Sequence, residues 1–486
     1  MSEQMRRVAI DPVTRVEGHG KITLLQDADN RVHEARLHIV EFRGFEKFIQ
    51  GRPYWEVSTF VQRLCGICPV SHHLAAAKAI DQLVGVEELT PSALKLRQLL
   101  HFGQTLQSHA LHFFHLSSPD LLFGFGSDVA KRNIIGVIEK YPETAVKGVK
   151  LRKYGQQVIA AIAGKRVHGS AAIPGGMNKS LSREERNSLL ADIKDIIAWS
   201  QDAVSLSEQI HMAHPENHDF GKLNTNFLGM IGPKGELELY HGGLRARAAD
   251  GSTILDQFDY RGYQDIIREE VRSWSYMKFP YLSSLGKEKG WYRVGPLARV
   301  NNCDSISTPL AEAARKRFKA FANGAFVQDT LAYHWARMIE ALHCAESIEL
   351  LLGDEDISGD DLVVTGEKRD EGIGVIEAPR GTLFHHYKID EEGMIRKANL
   401  IVSTTSNNQA MNESVRSVAD QYIDGKEITE GLLNHLEVAV RAYDPCLSCA
   451  THAMGKMPLQ VELVDADGRL VDRLTKGSDG RIERSM

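Results

Sequence analysis

The sequence predicts a mainly α-helical fold with peripheral β structure, in which the N- and C-terminal ends of the chain meet at a buried metal site. Three observations support this prediction. Long stretches place apolar residues at helical spacing, period-two alternation is confined to short segments, and two Cys-x-x-Cys pairs lie at opposite ends of the chain. No internal repeat or low-complexity linker interrupts the sequence, so we expect one continuous helical-bundle domain.

The N-terminal third is predicted to contain strands followed by helices. Residues 7–42 are expected to form strands, because apolar and polar residues alternate within them. Helical spacing begins at residue 54, and an alanine-rich amphipathic stretch covers 70–84. A long helix is expected to begin at Pro91 and to run to about residue 116. Four histidines on this helix are expected to be structural: His101, His109, His112 and His115.

The middle of the chain is predicted to mix loops, helices and short strands. Residues 164–176 are too rich in glycine for a helix or strand and lack the sequence of a phosphate-binding loop, so a tight structural loop is predicted. A long helix is expected over 181–213, with Ser182 as N-cap and Glu185 completing a capping box. Residues 236–240 are interpreted as a strand.

The C-terminal third is predicted to return to helices around a sheet. One helix is expected over 309–352, and the acidic stretch 353–371 that follows is interpreted as a solvated surface loop. Residues 400–405 are expected to form a buried strand. A last helix over 428–443, capped by Thr429, leads directly to the second cysteine pair.

Composition excludes several classes of protein. A net charge of −6 leaves no basic field for nucleic acid or an anionic membrane surface. No apolar run approaches the roughly 18 residues of a membrane span, and the N-terminus does not resemble a signal peptide. Six cysteines in 486 residues do not form a disulfide scaffold, which fits a reducing, cytoplasmic compartment.

The two cysteine pairs are the strongest chemical signal in the sequence. They are Cys65 with Cys68 and Cys446 with Cys449. Two residues between thiolates let both sulfurs face one ion across a turn, so we expect the fold to gather four sulfurs around a soft metal. Structural zinc, an iron–sulfur cluster and a redox dithiol are all compatible with the pairs themselves, although their separation far exceeds that of a zinc ribbon.

The residues around the cysteine pairs resemble the signature motifs of nickel–iron hydrogenase large subunits, and the resemblance runs from about residue 7 to the end of the chain. The short N-terminus and the residues after each pair look most like the cytoplasmic, NAD-linked, bidirectional subgroup. The matching stretches are 11–19, 43–46, 63–72, 107–109, 115–120, 377–381 and 444–452. The resemblance implies the catalytic component of an enzyme that reversibly splits dihydrogen into two protons and two electrons.

The same resemblance implies the cofactor and its thiolate ligands. The cofactor would be a nickel–iron centre whose iron carries one carbon monoxide and two cyanides. Cys65 and Cys446 would be terminal ligands of nickel, and Cys68 and Cys449 would bridge nickel and iron. Glu17 corresponds to the carboxylate that carries protons away from the metals.

Residues around the metals also receive roles from the resemblance. Arg380 would extend over the centre, held by Asp120 and Asp444. Thr404 and the Pro379-Arg380 backbone segment would donate hydrogen bonds to the cyanides. His72 would hydrogen-bond a bridging thiolate. Ser403 stands where many relatives have proline, so the details of the cyanide contacts are left open.

A second metal and a processed tail are implied as well. Glu46, the carbonyl of Leu400 and His452 match the ligands of a magnesium or iron site. Residues 1–452 would form the hydrogenase domain, and 453–486 a C-terminal extension that a maturation endopeptidase removes. This tail is predicted to contain a hairpin that turns at 465–468.

Two lone cysteines, Cys303 and Cys344, are too few to hold an iron–sulfur cluster, so electrons are expected to leave through partner subunits in a hetero-oligomer. The expected partners are flavin-containing, NAD-reducing diaphorase subunits and an iron–sulfur small subunit. Iron–sulfur clusters, flavin and NAD would be bound by these partners only. A deazaflavin-linked hydrogenase and a zinc-stapled interaction protein are the alternatives.

Overall fold

Long helices form the interior of the protein, whose computed structural model describes residues 5–272, 274–451, 459–464, 469–476 and 481–485. Helices account for 48% and strands for 20% of the structure, which confirms the mainly α prediction. The α-helices of seven or more residues are Tyr54–Phe60, Pro69–Leu83, Pro91–Leu111, Ile134–Lys140, Pro142–Ala163, Arg183–Ala213, Pro296–Asn302, Pro309–Phe321, Ala332–Gly353, Asn408–Val418 and Glu430–Ala442.

Four of these helices pack together as the central bundle. The Pro91–Leu111 helix contacts both Pro142–Ala163 and Ala332–Gly353, and Arg183–Ala213 packs against Ala332–Gly353. The capping box predicted for the Arg183–Ala213 helix is present: the Ser182 hydroxyl accepts a hydrogen bond from the backbone N–H of Glu185 at 3.2 Å, and the Glu185 carboxylate accepts one from the N–H of Ser182 at 3.0 Å. Buried apolar side chains between these helices exclude water and form the main core.

Small sheets surround the bundle, as predicted. The antiparallel three-stranded sheets are Arg6–Ile10, Gly20–Gln26 and Val32–Ile39; Glu371–Ala378, Gly381–Ile389 and Ile395–Ile401; and Leu459–Val464, Leu470–Lys476 and Ile482–Ser485. A mixed sheet orders the strands Tyr292–Arg293, Asn226–Ile231, Gly243–Arg247 and Thr253–Phe258. Two-stranded ribbons pair Ile267–Glu270 with Phe279–Leu282 and Ala172–Ile173 with Gly176–Met177.

The Pro69–Leu83 helix lies between the bundle and the Glu371–Ala378 strand, and all but one of its residues are buried. Its close approach to the strand requires glycine, because a Cβ on Gly374 would lie 2.0 Å from the carbonyl oxygen of Ala75. Alanine-rich sequence on the helix and glycine on the strand therefore fix the position of the first helical turn. That turn follows Cys68 directly.

The two ends of the chain meet beside this helix. The loop after the first strand forms a parallel β-bridge between Glu17 and Cys446, and the N–H of Leu447 donates to the carbonyl of Glu17 at 3.0 Å. Earlier in the same loop, the Thr14 hydroxyl donates to the Glu437 carboxylate at 2.9 Å. These contacts span more than 400 residues of sequence, and they hold the N-terminal loop against the segment that carries the second cysteine pair.

Four sequence-based predictions of secondary structure were wrong. The loop expected over 164–176 contains strand residues, because Ala172–Ile173 pairs with Gly176–Met177 as a short ribbon. The helix expected over 309–352 is two helices, because Asn323 and Gly324 adopt left-handed backbone conformations that end the first one. Within 236–240 only Glu236 and Leu237 form isolated bridges, and no strand is present. The strand expected over 400–405 ends at Ile401, and a short Ser403–Ser406 helix follows it. In that turn the Ser403 hydroxyl donates at 2.6 Å to the carbonyl of Gly381, which lies 22 residues earlier in the sequence, so a side chain occupies this backbone acceptor.

The tail contains the predicted hairpin, since Leu459–Val464 pairs antiparallel with Leu470–Lys476. A third strand, Ile482–Ser485, was not predicted. The predicted turn at 465–468 and the residue His452 lie outside the described residues. In the part of the chain that the structure describes, no helix is both long and apolar enough to cross a membrane.

Candidate metal centre

Four thiols converge in the interior, as the cysteine spacing predicts. The sulfurs of Cys65 and Cys446 are 3.2 Å apart, and those of Cys446 and Cys449 are 2.9 Å apart. Cys68 lies 3.6 Å from Cys449 and 3.9 Å from Cys446. All four sulfurs lie within 4.8 Å of one another, and each residue is at most 5% exposed. Such a group offers a soft-metal ion four ligands from both ends of the chain.

Local structure aims each thiol at the same point. Cys65 is extended after a 3-10 turn, and Cys68 directly precedes the proline that begins the Pro69–Leu83 helix. The second pair follows the Glu430–Ala442 helix through Asp444, whose φ of 54° turns the chain sharply. The glycine-rich loop predicted over 164–176 packs against the first pair: Nε2 of His168 is 3.0 Å from the carbonyl oxygen of Cys65.

The electrostatics of the thiol group favour a bound cation. Burial raises the pKa of Cys446 and of Cys449 well above the ordinary thiol value. Hydrogen bonds from the neighbouring thiols, Cys446 first, lower the pKa of Cys65. Four thiolates cannot be buried together without compensating positive charge, and bound metal ions would provide it.

Arg380 provides fixed positive charge beside the thiols. Its side chain is 3% exposed; Nε donates to the carbonyl oxygen of Asp444 at 2.6 Å and Nη2 to its carboxylate at 3.0 Å. Nη1 donates to the hydroxyl of Ser108 at 3.3 Å. The predicted contact with Asp444 is therefore present, and Ser108 is a contact that the sequence reasoning missed.

The other predicted partner of Arg380, Asp120, contacts different residues. Its carboxylate accepts from Arg15 at 2.6 Å, from Arg441 at 3.0 Å and from Asn434 at 3.1 Å. Among the described hydrogen bonds and ion pairs Arg380 contacts Asp444 and Ser108 and not Asp120, so the expected contact between Asp120 and Arg380 is absent from this structure. Asp120 instead ties the N-terminal loop to the helix that delivers the second cysteine pair.

A small cavity lies against the thiols and is lined by polar groups as well as apolar ones. Thr404 accepts a hydrogen bond from the N–H of Cys446 at 2.9 Å, which leaves its own hydroxyl proton to be donated. The buried hydroxyl of Ser71 has no hydrogen-bond partner among the described residues. The lining residues are Cys68, Ser71, His72, Ala378, Pro379, Arg380, Leu383, Val402, Ser403, Thr404, Cys446 and Cys449. Unsatisfied donors in an enclosed cavity fit small acceptor ligands on a metal.

His72, which lines this cavity, begins a chain of buried hydrogen bonds. Its Nδ1 lies 3.1 Å from Nε2 of His385, and Nδ1 of His385 lies 2.5 Å from the hydroxyl of Tyr387. Burial lowers the pKa of His72 to about 4, so the ring is neutral at ordinary pH. The alternation of His385 and Tyr387 along one strand was the signal in the sequence that could have identified this chain.

Glu17 lies against the second cysteine pair. One carboxylate oxygen accepts from the N–H of Ser448 at 3.2 Å, and the side chain also hydrogen-bonds to Cys446. Burial, and then the nearby Cys65 thiolate, raise the pKa of Glu17. A carboxylate in this position can exchange a proton with the thiol group.

Comparison with known proteins agrees with this geometry. The nickel-dependent hydrogenase family matches residues 43–123 and 239–452, and a family described as HoxL-like matches residues 7–42. The beta subunit of the NAD-reducing hydrogenase HoxS of Cupriavidus necator is 50% identical over 96% of this chain and 99% of that protein. The chain belongs to the nickel-dependent hydrogenase family.

Further relatives of this hydrogenase chain cover nearly its whole length. A component of an F420-non-reducing hydrogenase of Methanothermobacter thermautotrophicus is 41% identical over 97% of this chain and all of that protein. The solved structure of an NAD+-reducing [NiFe]-hydrogenase in its H2-reduced state superposes with a TM-score of 0.91 at 55% identity, covering 93% of this chain and all of that chain. A reduced Ni-Fe-Se hydrogenase of D. vulgaris Hildenborough matches with a TM-score of 0.75 at 25% identity, covering 92% of this chain and all of that one.

The predicted residues of the second metal site are only partly described in the hydrogenase structure. The backbone N–H of Leu400 donates to the Glu46 carboxylate at 2.8 Å. The contact between these two residues is therefore made by the amide of Leu400 and not by its carbonyl. Burial raises the pKa of Glu46 to about 7, while Lys278, 3.8 Å away, lowers it. A second carboxylate, Glu269, lies 3.3 Å from Lys278 and was not predicted. His452, the third expected ligand, lies outside the described residues.

Proposed function

We propose that this hydrogenase chain passes the electrons of dihydrogen through an iron–sulfur partner to NAD or NADP. The observation that carries the proposal is the convergence of four buried thiols beside the Arg380 guanidinium. The Cupriavidus relative and the solved structure at 55% identity are both described as NAD-reducing, which supports this acceptor. The resulting complex would be a cytoplasmic hetero-oligomer.

We assign the thiols to a nickel–iron centre whose iron carries carbon monoxide and cyanide. Cys65 and Cys446 would hold nickel alone, and Cys68 and Cys449 would be shared with iron. When bound, this centre supplies the site at which dihydrogen is split into two protons and two electrons. The donors around the cavity, including Thr404, would hold the ligands on iron.

The remaining site residues act through charge and hydrogen bonds. Arg380, anchored by Asp444, would offset the negative charge of the thiolates, and Glu17 would accept the proton. His72, aligned by His385, would donate to a bridging sulfur. Asp120 would position the loop that carries Glu17, since it holds Arg15 on that loop.

A second ion is proposed near Glu46. A carboxylate, the carbonyl of Leu400 and water suit magnesium, while an imidazole from His452 makes iron an alternative. The amide of Leu400 already holds the carboxylate in position. This ion would stabilise the C-terminal segment that carries the second cysteine pair.

Partners and alternatives follow from the same comparison. Flavin-containing diaphorase subunits and an iron–sulfur small subunit would carry the electrons, since the Cupriavidus relative is one component of a larger NAD-reducing enzyme. Several relatives are described as F420-non-reducing, which gives a deazaflavin acceptor less support. A zinc-stapled interaction protein would not require the buried Arg380 or the donors around the cavity.

Metal analysis tests the assignment of the centre. We expect the isolated protein to contain nickel and iron in roughly equal amounts at the thiol group, and Cys446→Ser to lose nickel, because a hydroxyl is a poor ligand for this soft site. Elemental analysis of both proteins, with Cys303→Ser as the matched control, measures this. Zinc alone in the wild-type protein would contradict the proposal.

The tail is proposed to be removed during maturation. Cys446 and Cys449 precede it closely, and a maturation endopeptidase would cut after His452, which would release His452 from the tail as a ligand for the second metal. The family match ends at residue 452, which supports this boundary. We expect the intact mass of active enzyme to correspond to a chain that ends at His452. Active, nickel-loaded protein that still carries Met486 would refute the prediction.

A further inference from the structure

Arg380 lies in a tight turn that the protein interior encloses. It is the second residue of a two-residue turn between antiparallel strands, and Ala378 pairs with Gly381 on either side of the turn. Such turns usually lie at the surface, where water hydrogen-bonds to their carbonyl groups. Here Pro379 and Arg380 are buried and line the cavity beside the thiols. The carbonyl groups of this turn therefore require donors from buried side chains.

Arg299 provides two of these donors. It lies on the Pro296–Asn302 helix, and its side chain is fully buried. Nη1 donates to the carbonyl oxygen of Ala378 at 3.0 Å, and Nη2 donates to that of Pro379 at 3.3 Å. The guanidinium thus holds two consecutive carbonyl groups directly before Arg380.

Two carboxylates fix the plane of the Arg299 guanidinium. Glu340 accepts from Nε at 2.5 Å and from Nη2 at 2.6 Å, and Glu377 accepts from Nη1 at 2.6 Å. With the two carbonyl groups, these bonds use all five N–H groups of the side chain. Glu340 also lies 2.8 Å from Nε2 of His109, and Glu377 accepts from the Thr382 hydroxyl at 2.7 Å. Several elements of the fold therefore hold Arg299 in one position.

The groups next to the turn are held in the same way. Nε2 of His101 lies 3.0 Å from the carbonyl oxygen of Glu377, and the Ser403 hydroxyl donates to that of Gly381 at 2.6 Å. A Cβ on Gly381 would lie 2.2 Å from the side chain of Val294, so the turn is also closely packed. The backbone that carries Arg380 cannot move without breaking a buried hydrogen bond, which is costly.

We propose that Arg299 is a positioning residue for the cleavage of dihydrogen. By holding the turn, it determines where the Arg380 guanidinium lies beside the thiols and how it reaches Asp444. The inference rests on the proposed role of Arg380 and extends it to a residue that does not line the cavity. Such positioning matters because a displacement of about 1 Å can lower a reaction rate by about 100-fold.

The main test is Arg299→Lys in the complete enzyme. Lysine keeps a positive charge between Glu340 and Glu377, but its three donors cannot serve both carboxylates and both carbonyl groups. We expect turnover per bound nickel to fall about 10-fold or more, with nickel and iron content retained. We also expect the infrared bands of the carbon monoxide and cyanide ligands of the proposed centre to shift, because the turn lines the cavity beside the thiols.

Amide hydrogen exchange, followed by mass spectrometry, measures the turn without relying on turnover. In Arg299→Lys, peptides that cover residues 376–384 should exchange about 10-fold faster, since the loss of one buried hydrogen bond eases local opening by about that factor. Peptides from the Arg183–Ala213 helix should exchange as in the wild-type protein. This pattern would show a displacement confined to the turn.

Arg97→Lys is the matched control. Arg97 is fully buried and donates to Asp81 at 2.5 and 3.1 Å, to the carbonyl of Ile173 at 3.0 Å and to that of Gly176 at 2.9 Å. Like Arg299, it holds a carboxylate and two carbonyl groups beside a tight turn, but it does not line the cavity. We expect faster exchange in its own ribbon, with turnover per nickel and infrared bands unchanged.

Glu340→Gln keeps the test decisive if Arg299→Lys does not fold. The amide retains the size of the carboxylate but offers one acceptor oxygen where the Arg299 guanidinium uses two. The guanidinium should therefore shift. We expect turnover, infrared bands and turn exchange to change in the same direction as in Arg299→Lys, by a smaller amount.

The outcomes separate this inference from the proposed role of Arg380. Wild-type turnover, infrared bands and turn exchange in metallated Arg299→Lys or Glu340→Gln, when Arg380→Lys has lost turnover, would overturn the inference and leave the proposed function intact. Wild-type turnover in Arg380→Lys as well would overturn the roles of both arginines. An equal loss of turnover per nickel in Arg97→Lys, or failure of both Arg299→Lys and Glu340→Gln to bind nickel, would assign Arg299 a structural role and overturn the positioning role.

Discussion

Replacing Glu17 with glutamine is expected to lower the exchange of deuterium gas with solvent protons by about 100-fold or more, while nickel and iron remain bound. The carboxylate hydrogen-bonds to Cys446 and to the N–H of Ser448, so it lies directly beside the thiol group. An amide can occupy the same volume and make similar hydrogen bonds, but it cannot take up and release a proton at working pH. The change therefore removes proton transfer without removing a metal ligand.

Glu17→Asp is the matched control for this experiment. It retains an ionisable carboxyl group on a shorter side chain, so we expect exchange between that of wild type and Glu17→Gln. Conversion of para-hydrogen to ortho-hydrogen should persist in both variants, because dihydrogen can be split and re-formed at the metals without release of a proton to solvent. Exchange at the wild-type rate in fully metallated Glu17→Gln would show that protons leave by another group.

Replacing Arg380 with lysine is expected to lower turnover per bound nickel by about 100-fold. The guanidinium uses all three nitrogens: two donate to Asp444, through its backbone carbonyl and its carboxylate, and the third donates to Ser108. A lysine ammonium keeps the charge but cannot make this planar set of bonds. The buried charge would move away from the cavity, and the Asp444 carboxylate would lose part of its compensation.

Arg97→Lys is the control for losing a buried guanidinium as such. Arg97 is also fully buried and donates to Asp81 at 2.5 and 3.1 Å, but it does not line the cavity beside the thiols. We expect this variant to lower the melting temperature while turnover per nickel remains close to wild type. Arg380→Lys protein with normal metal content and wild-type turnover would show that Arg380 does not act on the centre.

Much of the fold was predictable because its helices are locally encoded. The Ser182 capping box and the cap of the last helix by Thr429 appear as predicted, since cap residues act within three positions of the helix start. Predictions failed at turns that helical or strand periodicity does not show. The break at Asn323 and Gly324 is a local left-handed turn whose amides donate to Ala320 and Lys319. The turn at Ser403 depends on a tertiary contact, the hydrogen bond to Gly381.

The metal centre, like the fold, combines features that the local sequence encodes with features that the packing of the chain decides. The sequence by itself determined the four thiols, because paired cysteines two residues apart are a local pattern with few chemical uses. It also indicated Arg380 and Glu17, through the resemblance to a known family.

Only the tertiary structure decided which groups these residues meet. Asp120 contacts Arg15 and Arg441, whereas Arg380 contacts Asp444 and Ser108. Ser448 joins Glu17 to Glu41 across more than 400 residues of sequence. Hydrogen bonds act over about 3 Å in space, and the packing of the whole chain, not the spacing of residues along it, determines which donors and acceptors come within that distance.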